Sequence, residues 1–279
     1  MKLVRFGEKG SEKPGVVDAD GSIRDASSLV ADFAPDTIVD ATERLRRADL
    51  ASLPKAPAGV RIGSPISRTG HFIGIGLNYA DHAAESGMPI PTEPIVFSKA
   101  PNSLSGPNDD IVLPRGSQKS DWEVELAFVI GKRAHYVSEA DALSHVLGFA
   151  LCNDVSERAY QNERGGQWIK GKSAPGFGPL GPWLVTTDEV ADCQDLAMFL
   201  DLNGERRQTG STKTMIFPVA HLIAYLSTFM VLEPGDIVTT GTPPGVGMGM
   251  KPPVYLKAGD RLKLGIAGLG EQTQNVVAG

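Results

Sequence analysis

The sequence predicts a mainly β, α+β protein, built as a mixed β-sandwich or roll with helices at its periphery. Short apolar segments with strand patterns dominate the chain. They are not separated by the regular crossover helices that a doubly wound sheet or a TIM barrel requires. The 32 glycines and 20 prolines among 279 residues indicate many turns and shaped loops. There is no internal repeat and no low-complexity segment, which fits a globular protein.

Composition and charge narrow the function classes. Apolar residues make up 41% and charged residues 22% of the chain, as in an ordinary globular protein. The net charge of −6 gives no reason to expect nucleic acid or an anionic membrane as a partner. Two cysteines, Cys152 and Cys193, do not make a disulfide framework and fit a reducing compartment. The start, MKLVRFGEKG, has no apolar signal core, and no apolar run approaches the ~20 residues of a membrane span. We therefore expect a cytoplasmic protein.

The first residues predict a small β-rich domain. MKLVRF and GVVDADGSIRDAS have strand patterns, with a hairpin turn at Asp20-Gly21. TIVDATERLRRADLASL predicts a short helix. PKAPAGVRIGSPISR is rich in Pro, Gly and small residues and resembles a linker. These features predict an N-terminal domain over residues 1–66 and a larger domain over 67–279.

The middle of the chain alternates strands with two short helices. HFIGIGLNY predicts a strand that runs to Tyr79, and ADHAAESG predicts a helix with Asp81 as N-cap and Gly87 as its end. SEADALSHVLGF predicts a helix from Ser138, with Asp141 completing a cap. Further strands are predicted at IVFSK, DDIVLP, WEVELAFVIG and GFALCNDVSER.

The last third is again rich in strands. LGPWLVT and AMFLDLNGERRQ have strand patterns, the second turning at Asn203-Gly204. FPVAHLIAYLSTFM predicts an amphipathic helix with Pro218 at its start. GDIVTTGTPPGVGMGMKPP predicts a strand that leads into a long Gly/Pro loop. Strands in YLKAGDRLKLGIAGLGEQTQNVV follow.

The stretch DWEVELAFVIG, residues 121–131, has two different faces if it is a strand. Side chains alternate between faces, so Asp121, Glu123 and Glu125 share one side. The opposite face is apolar throughout and comprises Trp122, Val124, Leu126, Phe128 and Ile130. One interpretation is a half-buried antiparallel strand with its polar side in solvent. The other is a cation site, because neighbouring carboxylates repel unless a cation lies between them.

Asp154 supplies a third carboxylate, since it follows the apolar run GFALCN. An aspartate there is commonly a turn or cap residue. Together with Glu123 and Glu125 it would form an all-oxygen site without His or Cys. Such a site suits Mg²⁺, Mn²⁺ or Ca²⁺ rather than Zn²⁺, and three protein ligands leave positions open for substrate.

Two further segments carry candidate catalytic groups. In NYADHAAES, His82 and Glu85 lie three residues apart and share a helix face. A carboxylate beside an imidazole orients it and raises its basicity, as a general base needs, although a solvated surface pair has the same spacing. In QWIKGKSAPGFGPLGPW, Lys170 and Lys172 lie in a rigid Gly/Pro loop. Either lysine could hold a substrate carboxylate or enolate, or could be a surface lysine.

The loop TTGTPPGVGMGMK could present backbone N–H groups and a hydroxyl to an anion. It is not a P-loop, because the glycine–lysine spacing is absent. GIGLNY is not a dinucleotide fingerprint, because the third glycine is missing and no βαβ unit follows. The remaining histidines show no partner pattern and are interpreted as structural or surface residues: His71, His135, His145 and His221.

The order of these motifs resembles the fumarylacetoacetate hydrolase family. The segments that carry the resemblance are NYADHAAE, PIVFSKAPNSLSGPNDDIVLP, DWEVELAFVIGK, NDVSERAYQ, KGKS and TGTPPGVG. They extend over about residues 70–270. The resemblance implies that Glu123 and Glu125 are the family's metal pair and that Asp154 is its third ligand. It also implies that His82 and Glu85 form a catalytic dyad.

The resemblance implies roles for five more residues. Lys172 matches the family's active-site lysine, and Gln161 matches a substrate-facing glutamine. Arg158 matches a neighbouring arginine. Gly241 and Thr242 match the loop that holds the substrate carboxylate. The implied cofactor is Mg²⁺ or Mn²⁺, with Ca²⁺ as a substitute in a crystal, and the implied assembly is a homodimer with the family's mixed β-sandwich roll.

The chain departs from the family pattern after the lysine. Members often read K-S-F-D-T-F, whereas this chain has Lys172-Ser173-Ala174-Pro175-Gly176-Phe177. The aspartate and threonine are absent, which puts in doubt any support they give to the lysine or the pocket. The metal ligands and the dyad are unaffected.

The resemblance implies hydrolysis of a carbon–carbon bond in a 2,4-diketo acid of the acylpyruvate type. Examples are 2,4-diketo-3-deoxy-L-rhamnonate or -fuconate, which would give pyruvate and a carboxylic acid. His82, oriented by Glu85, would take a proton from water, and Gln161 or Lys172 would stabilise the oxyanion. The alternatives are a ureidoglycolate lyase, an oxaloacetate decarboxylase, or a metal-stabilised binding protein without turnover. The expected partner is a small 2-oxo acid, with no nucleic acid and no membrane.

Overall fold

The computed structural model describes residues 1–81 and 89–279. The helices are α1 (Ile38–Arg46), α2 (Glu139–Ala142), α3 (Arg158–Asn162), α4 (Ile169–Lys172) and α5 (Val219–Phe229). The first strands are β1 (Lys2–Phe6), β2 (Lys13–Val17), β3 (Ile23–Asp25), β4 (Ile62–Gly63), β5 (Phe72–Gly76), β6 (Ile95–Lys99), β7 (Leu104–Ser105), β8 (Ile111–Leu113), β9 (Ser120–Asp121) and β10 (Val124–Ile130). They are followed by β11 (Val146–Asn153), β12 (Ser156–Glu157), β13 (Gly178–Pro179), β14 (Leu184–Thr186), β15 (Ala197–Leu202), β16 (Glu205–Ser211), β17 (Ile237–Thr239), β18 (Arg261–Ile266) and β19 (Gly270–Ala278). Within the two described ranges, no helix has the length and apolar character needed to cross a membrane.

Two sheets form the body of the protein and confirm the mainly β class. The larger sheet has ten strands in the order β3-β2-β1-β14-β11-β10-β17-β5-β6, with β4 paired to β1. Most neighbours are antiparallel, but β17 and β5 are parallel, so the sheet is mixed. The second sheet has five strands in the order β16-β15-β18-β19-β8. The helices are short and lie outside this framework.

Strand β10 lies at the centre of the larger sheet and is buried on both faces. One face contributes Leu126 and Phe128 to the core cluster that also holds Leu200 and Leu264 of the five-stranded sheet. The opposite face contributes Val129 to a second cluster beside residues of α1. The predicted alternation is therefore confirmed. The interpretation of a half-buried strand with solvated carboxylates is wrong, because the whole strand is buried.

The segment before residue 67 shares a sheet with the rest of the chain. Strand β1 pairs antiparallel with β14, and Leu3 lies opposite Leu184. Side chains of α1, such as Ile38, pack in the same cluster as Phe72 and Ile237. The division at residue 66 stays a prediction, and the two segments are continuous in hydrogen bonding and in packing.

Several predicted elements differ in their ends. The strand from His71 ends at Gly76 rather than Tyr79, because Leu77 has a positive φ of 49°. The helix from Ser138 is shorter than predicted, since VLGF belongs to β11. Its cap is confirmed, with the Asp141 N–H donating to Ser138 Oγ at 3.3 Å. The predicted helix in ADHAAESG falls largely on residues 82–88 and lies outside the described residues.

Arg61 ties the N-terminal segment to the larger part of the chain. It donates to both carboxylate oxygens of Asp109 at 2.8 and 2.7 Å, and to Glu12 at 2.9 Å. Burial would raise the pKa of Asp109 and of Glu12, but the hydrogen bonds from Arg61 outweigh it and lower both pKa values. Carboxyl groups with a lowered folded-state pKa stabilise the fold above their unfolded-state pKa, and this stabilisation is lost as the pH falls through the folded-state pKa.

Arg61→Met is therefore expected to lower the free energy of unfolding at pH 7 by about 1.5–3 kcal/mol, the range for hydrogen bonds to charged groups. The difference in the free energy of unfolding between Arg61→Met and the wild type should become smaller below about pH 4, where the carboxyl groups of the unfolded chain become protonated. Urea unfolding at pH 7 and pH 3 measures both effects. Arg47→Met is the control, because the Arg47 side chain is 81% exposed and its ion pair with Glu43 is long, at 3.6 Å. An equal loss for both variants would contradict the role of Arg61.

Candidate metal and substrate site

The three predicted metal ligands converge because of the register between β10 and β11. Glu125 lies opposite Cys152, so Asp154, two residues further on, lies on the same face beside Glu123. The Asp154 N–H donates to the Glu123 carbonyl at 2.9 Å. Carboxylate oxygens of Glu123, Glu125 and Asp154 lie within 4.8 Å of one another. This spacing is comparable with twice the ~2.1–2.5 Å of metal–oxygen bonds.

Buried cations surround two of these carboxylates. Lys172 Nζ lies 2.7 Å from Glu123 and 2.6 Å from Asp154. Lys99 Nζ lies 2.5 Å from the other oxygen of Asp154, and Arg158 Nη2 lies 2.7 Å from the other oxygen of Glu123. Lys99 and Asp154 are fully buried. Both carboxylates are thus neutralised by protein groups on two sides.

Glu125 is different, because it makes no ion pair with any residue that the structure describes. Its side chain is 1% exposed, and one oxygen accepts the Gly241 N–H at 2.8 Å. Burial raises the pKa of Glu125 well above its usual value, and the charges of Asp154 and Glu123 raise it further. A buried carboxylate without a counter-charge is costly. A divalent cation beside Glu125, Glu123 and Asp154 would remove that cost, so the donor set fits Mg²⁺ or Mn²⁺.

The neighbouring groups keep their charges. Burial disfavours the charged form of Glu123, but Lys172 and Arg158 outweigh it and hold its pKa well below the usual range. Burial would likewise lower the pKa of Lys172, whereas Asp154 and Glu123 raise it, and the net shift is upward. Lys172 therefore presents an ammonium group, which can stabilise an anionic oxygen.

Lys172 is the last residue of α4, and hydrogen bonds to its backbone and to the following turn fix its position. Its carbonyl accepts from Lys99 Nζ at 2.6 Å. The following turn closes with the Phe177 N–H donating to the Ala174 carbonyl at 3.0 Å, and Ser173 Oγ accepts the Ala100 N–H at 2.8 Å. The sequence that departs from the family pattern thus forms a closed, packed turn, and Lys99 fixes the lysine backbone.

Gln161 and Arg158 lie on α3 and face the same cavity. Arg158 Nη1 donates to Gln161 Oε1 at 3.0 Å, and the Gln161 amide N–H groups, which have no partner among the residues that the structure describes, can donate to a ligand. Both side chains are at least 95% buried, with exposed fractions of 4% each. Helix α3 therefore brings two donors to the carboxylate cluster.

Gly241 and Thr242 also line the cavity, but their polar groups bond within the protein. The Gly241 N–H donates to Glu125, and Thr242 Oγ1 donates to the Val124 carbonyl at 2.9 Å. Gly241 has φ of +90°, and a Cβ there would lie 2.9 Å from Asn78 Cβ. Glycine is required at this position for close approach to Asn78. A role for both residues in holding a substrate carboxylate stays a prediction.

His82 and Glu85 lie outside the described residues, so the dyad also stays a prediction. The sequence patterns assigned no role to Lys99 and placed Asp121 only on the same strand face as Glu123 and Glu125. A signal for Lys99 was available, because period-two alternation in IVFSK places it on the same face as Ile95 and Phe97.

The site opens into a cavity of about 690 Å³. Glu123, Glu125, Lys172 and Arg158 form its charged, buried end. Its other walls are largely apolar and include Ile75, Leu77, Phe97, Trp168, Met248 and Met250. The rings of Phe97 and Trp168 lie 5.4 Å apart. A cavity with one charged end and apolar walls suits a small anionic ligand with a less polar tail.

Comparisons with known proteins agree with this geometry. The family model described as "Fumarylacetoacetate (FAA) hydrolase C-terminal" matches residues 71–277. A Burkholderia multivorans protein named "Putative hydrolase" is 60% identical over 276 residues, covering 98% of each chain.

Two solved structures span the same length. One is the maleylpyruvate hydrolase of Sphingobium sp. SYK-6, in complex with manganese(II) and pyruvate, at 32% identity, a TM-score of 0.83 and coverage of 100% of both chains. The other is the 2-hydroxyhepta-2,4-diene-1,7-dioate isomerase of Mycobacterium marinum, at 30% identity, a TM-score of 0.80 and coverage of 100% of this chain and 98% of that one.

Proposed function

Because the chain belongs to the fumarylacetoacetate hydrolase family, we propose that it is a metal-dependent hydrolase acting on a 2,4-diketo acid. It would cleave a carbon–carbon bond of an acylpyruvate to give pyruvate and a carboxylic acid. The observation that carries this proposal is the cluster of three buried carboxylates, two of which line the cavity, while Glu125 has no ion-pair partner among residues 1–81 and 89–279. The similar maleylpyruvate hydrolase binds manganese and pyruvate, which supports the proposal.

The residues that would hold the ion are Glu123, Glu125 and Asp154. A bound Mg²⁺ or Mn²⁺ supplies Lewis-acid stabilisation of negative charge on substrate oxygens. Lys172 and the amide of Gln161 are donors at the same end of the cavity, suited to an oxyanion or enolate oxygen. The apolar walls exclude water from the rest of the substrate, which strengthens each of these polar contacts.

His82, oriented by Glu85, is the proposed general base that takes a proton from water before attack on the C4 carbonyl. The proposed substrates include sugar-derived diketo acids such as 2,4-diketo-3-deoxy-L-rhamnonate or -fuconate. A cavity of about 690 Å³ has room for such an acid. We further propose that the protein acts in the cytoplasm as a homodimer, and that a 2-oxo acid is its ligand.

A second candidate is isomerisation of an unsaturated 2-hydroxy acid, favoured by the similar Mycobacterium marinum isomerase. The same charged end of the cavity could stabilise an enolate in that reaction without bond cleavage. Ureidoglycolate lyase and oxaloacetate decarboxylase activities need similar enolate or oxyanion stabilisation. A binding protein without turnover is the remaining alternative.

A pyruvate-release assay separates these functions. Acetylpyruvate and 2,4-diketo-3-deoxy-L-rhamnonate are followed by absorbance, with coupled pyruvate detection, in Mg²⁺, in Mn²⁺ and in EDTA. We expect metal-dependent pyruvate release from at least one acid. Conversion of a 2-hydroxydienoate without pyruvate release would favour the isomerase. Consumption of none of these acids, with Mn²⁺ bound, would favour the lyase or the binding protein.

In the same assay, His82→Ala is expected to lower kcat by roughly 10²–10⁴-fold, the contribution of a general base, while Mn²⁺ still raises the melting temperature. His221→Ala is the control, because His221 pairs at the surface with Glu139 at 2.7 Å. Near wild-type turnover of His82→Ala would remove this residue from the mechanism.

A further inference from the structure

The buried carboxylate of Asp121 makes contacts that none of the roles above uses. Oδ1 accepts the Trp122 N–H at 2.9 Å and the Gly247 N–H at 2.7 Å. Oδ2 accepts the Met248 N–H at 3.0 Å and Arg158 Nε at 2.8 Å. Asp121 is 0% exposed, so these groups rather than water satisfy it. One carboxylate thus joins α3 to a loop whose Gly247 lies 126 residues after Asp121 in the sequence.

On one side, Asp121 fixes a guanidinium group that reaches into the site. Arg158 Nη2 lies 2.8 Å from Asp121 and 2.7 Å from Glu123, and Nη1 donates to Gln161 at 3.0 Å. The planar guanidinium holds its donors in a rigid fork, so Asp121, Glu123 and Gln161 together fix where its nitrogens point. Asp121 therefore helps to orient the Arg158 side chain although it does not line the cavity itself.

On the other side, Asp121 holds the loop over residues 243–254. Trp122 Nε1 donates to the Gly245 carbonyl at 3.1 Å, and the Val254 N–H donates to the Gly247 carbonyl at 3.0 Å. A Cβ at Gly247 would lie 1.9 Å from the Val254 carbonyl oxygen and 2.8 Å from Asp121 Oδ1. Only glycine fits this approach. The next residue, Met248, lines the cavity and is 40% exposed, so it lies at the outer wall.

We propose that Asp121 is a positioning residue that fixes the outer wall of the cavity, through Gly247 and Met248, in register with Arg158 and Gln161. The charged end of the cavity is buried and the Met248 wall is partly exposed. The acyl end of the substrate therefore lies against the part that Asp121 positions. This inference rests on the proposed function for the identity of the substrate, whereas the structural link can be tested without it.

Asp121→Asn tests the link with nearly unchanged volume. An asparagine keeps one acceptor oxygen, but its amide nitrogen cannot accept from Met248 or from Arg158. We expect amide hydrogen exchange in residues 243–250 to become about ten-fold faster. The KM for acylpyruvates with a long acyl group should rise about ten-fold, the lower end for lost supporting contacts. The KM for acetylpyruvate and the kcat for both substrates should change by less than about three-fold, because the acetyl group does not reach the outer wall and Arg158 keeps its contacts with Glu123 and Gln161.

A measurement of Mn²⁺ affinity shows whether Asp121→Asn changes the position of the outer wall or instead disturbs the metal ligands. Glu123 keeps its contact with Lys172, so Asp121→Asn should bind Mn²⁺ within about three-fold of wild type. Glu123→Gln provides the comparison for a lost ligand. Gly247→Ala approaches the same contact from the loop and should raise the KM for the long substrate in the same way, which keeps the test decisive if Asp121→Asn does not fold.

Asp236→Asn is the matched control. Asp236 is 2% exposed and accepts the backbone N–H groups of His71 at 2.7 Å and Glu233 at 2.8 Å, away from the cavity. It should leave exchange in 243–250 and both KM values unchanged. The proposal is overturned if Asp121→Asn leaves that exchange unchanged, raises both KM values equally, or loses Mn²⁺ as Glu123→Gln does. If the wild type turns over no acylpyruvate, the proposed function fails, while exchange and Mn²⁺ titration still decide the role of Asp121.

Discussion

Glu125→Gln is expected to abolish metal-dependent turnover while leaving the metal-free protein at least as stable as the wild type. Glu125 is the predicted ligand that makes no ion pair within the described part of the chain, and it is almost fully buried. A glutamine has the same shape, and its carbonyl oxygen can still accept the Gly241 N–H that Glu125 accepts at 2.8 Å. The substitution therefore removes a charge that the metal-free fold stabilises poorly and that a bound cation needs.

The prediction is specific because Glu125→Gln should not lower the stability of the metal-free protein but should remove the stabilisation by metal. Without metal, loss of an uncompensated buried charge should hold or raise the melting temperature. With Mn²⁺ at 100 times its dissociation constant, the wild type should gain about 2.7 kcal/mol, and the variant should gain almost nothing at that concentration. Turnover should fall roughly 10³-fold, since Lewis-acid stabilisation contributes several kcal/mol to the transition state.

Thermal unfolding in EDTA and in Mn²⁺, with pyruvate release measured in parallel, checks all three effects. Glu157→Gln is the control for removal of a buried carboxylate. Glu157 is 1% exposed and accepts from Ser120 at 3.0 Å and from the Ala159 N–H at 3.1 Å, outside the cluster. It should lose stability and keep its response to Mn²⁺. A Glu125→Gln protein that still gains stability from Mn²⁺ like the wild type would show that the ion binds elsewhere.

The carboxylate cluster shows which features of the site an alternating strand pattern can predict and which it cannot. Alternation in DWEVELAFVIG correctly separated the apolar face from the face with Glu123 and Glu125. It could not show that the second face is buried, because burial depends on which segments cover the strand. Asp154 joins the pair through the register of two strands that are separated by a loop and a short helix. Register is a long-range property, so the spacing of residues along the chain does not contain it.

The cations of the site were harder to predict than the acids. Lys99 lies in a strand that contains both apolar and polar residues, and a lysine at a strand end is normally solvated. Lys99 is buried because the end of α4 and Asp154, the residue after β11, pack against it, and the local sequence does not encode these contacts. The helix predicted from Ser138 ends earlier than expected for a similar reason. Pairing with β10 extends β11 back to Val146, and tertiary pairing overrides local helix propensity.

Lys99→Met is expected to cause the largest loss of stability, about 3–5 kcal/mol, as when one partner of a buried ion pair is removed. The ammonium group is 0% exposed and contacts Asp154 Oδ1 at 2.5 Å and the Lys172 carbonyl at 2.6 Å. Methionine fills a similar volume but leaves the buried Asp154 with Lys172 as its remaining ion-pair partner in the described part of the chain. The substitution also removes the hydrogen bond from Lys99 Nζ to the Lys172 carbonyl at the end of α4.

Urea unfolding in EDTA measures this loss, and Lys263→Met is the control. Lys263 is 51% exposed and pairs with Glu271 at 2.9 Å, so its replacement should cost less than about 1 kcal/mol. The double variant Lys99→Met/Asp154→Asn removes both partners of the pair. If the cost arises from the unpaired carboxylate, the double variant should be more stable than the sum of the two single losses predicts, by an interaction energy of about 1–3 kcal/mol. Additive losses would instead assign the cost to the packing of Lys99 and its bond to the Lys172 carbonyl.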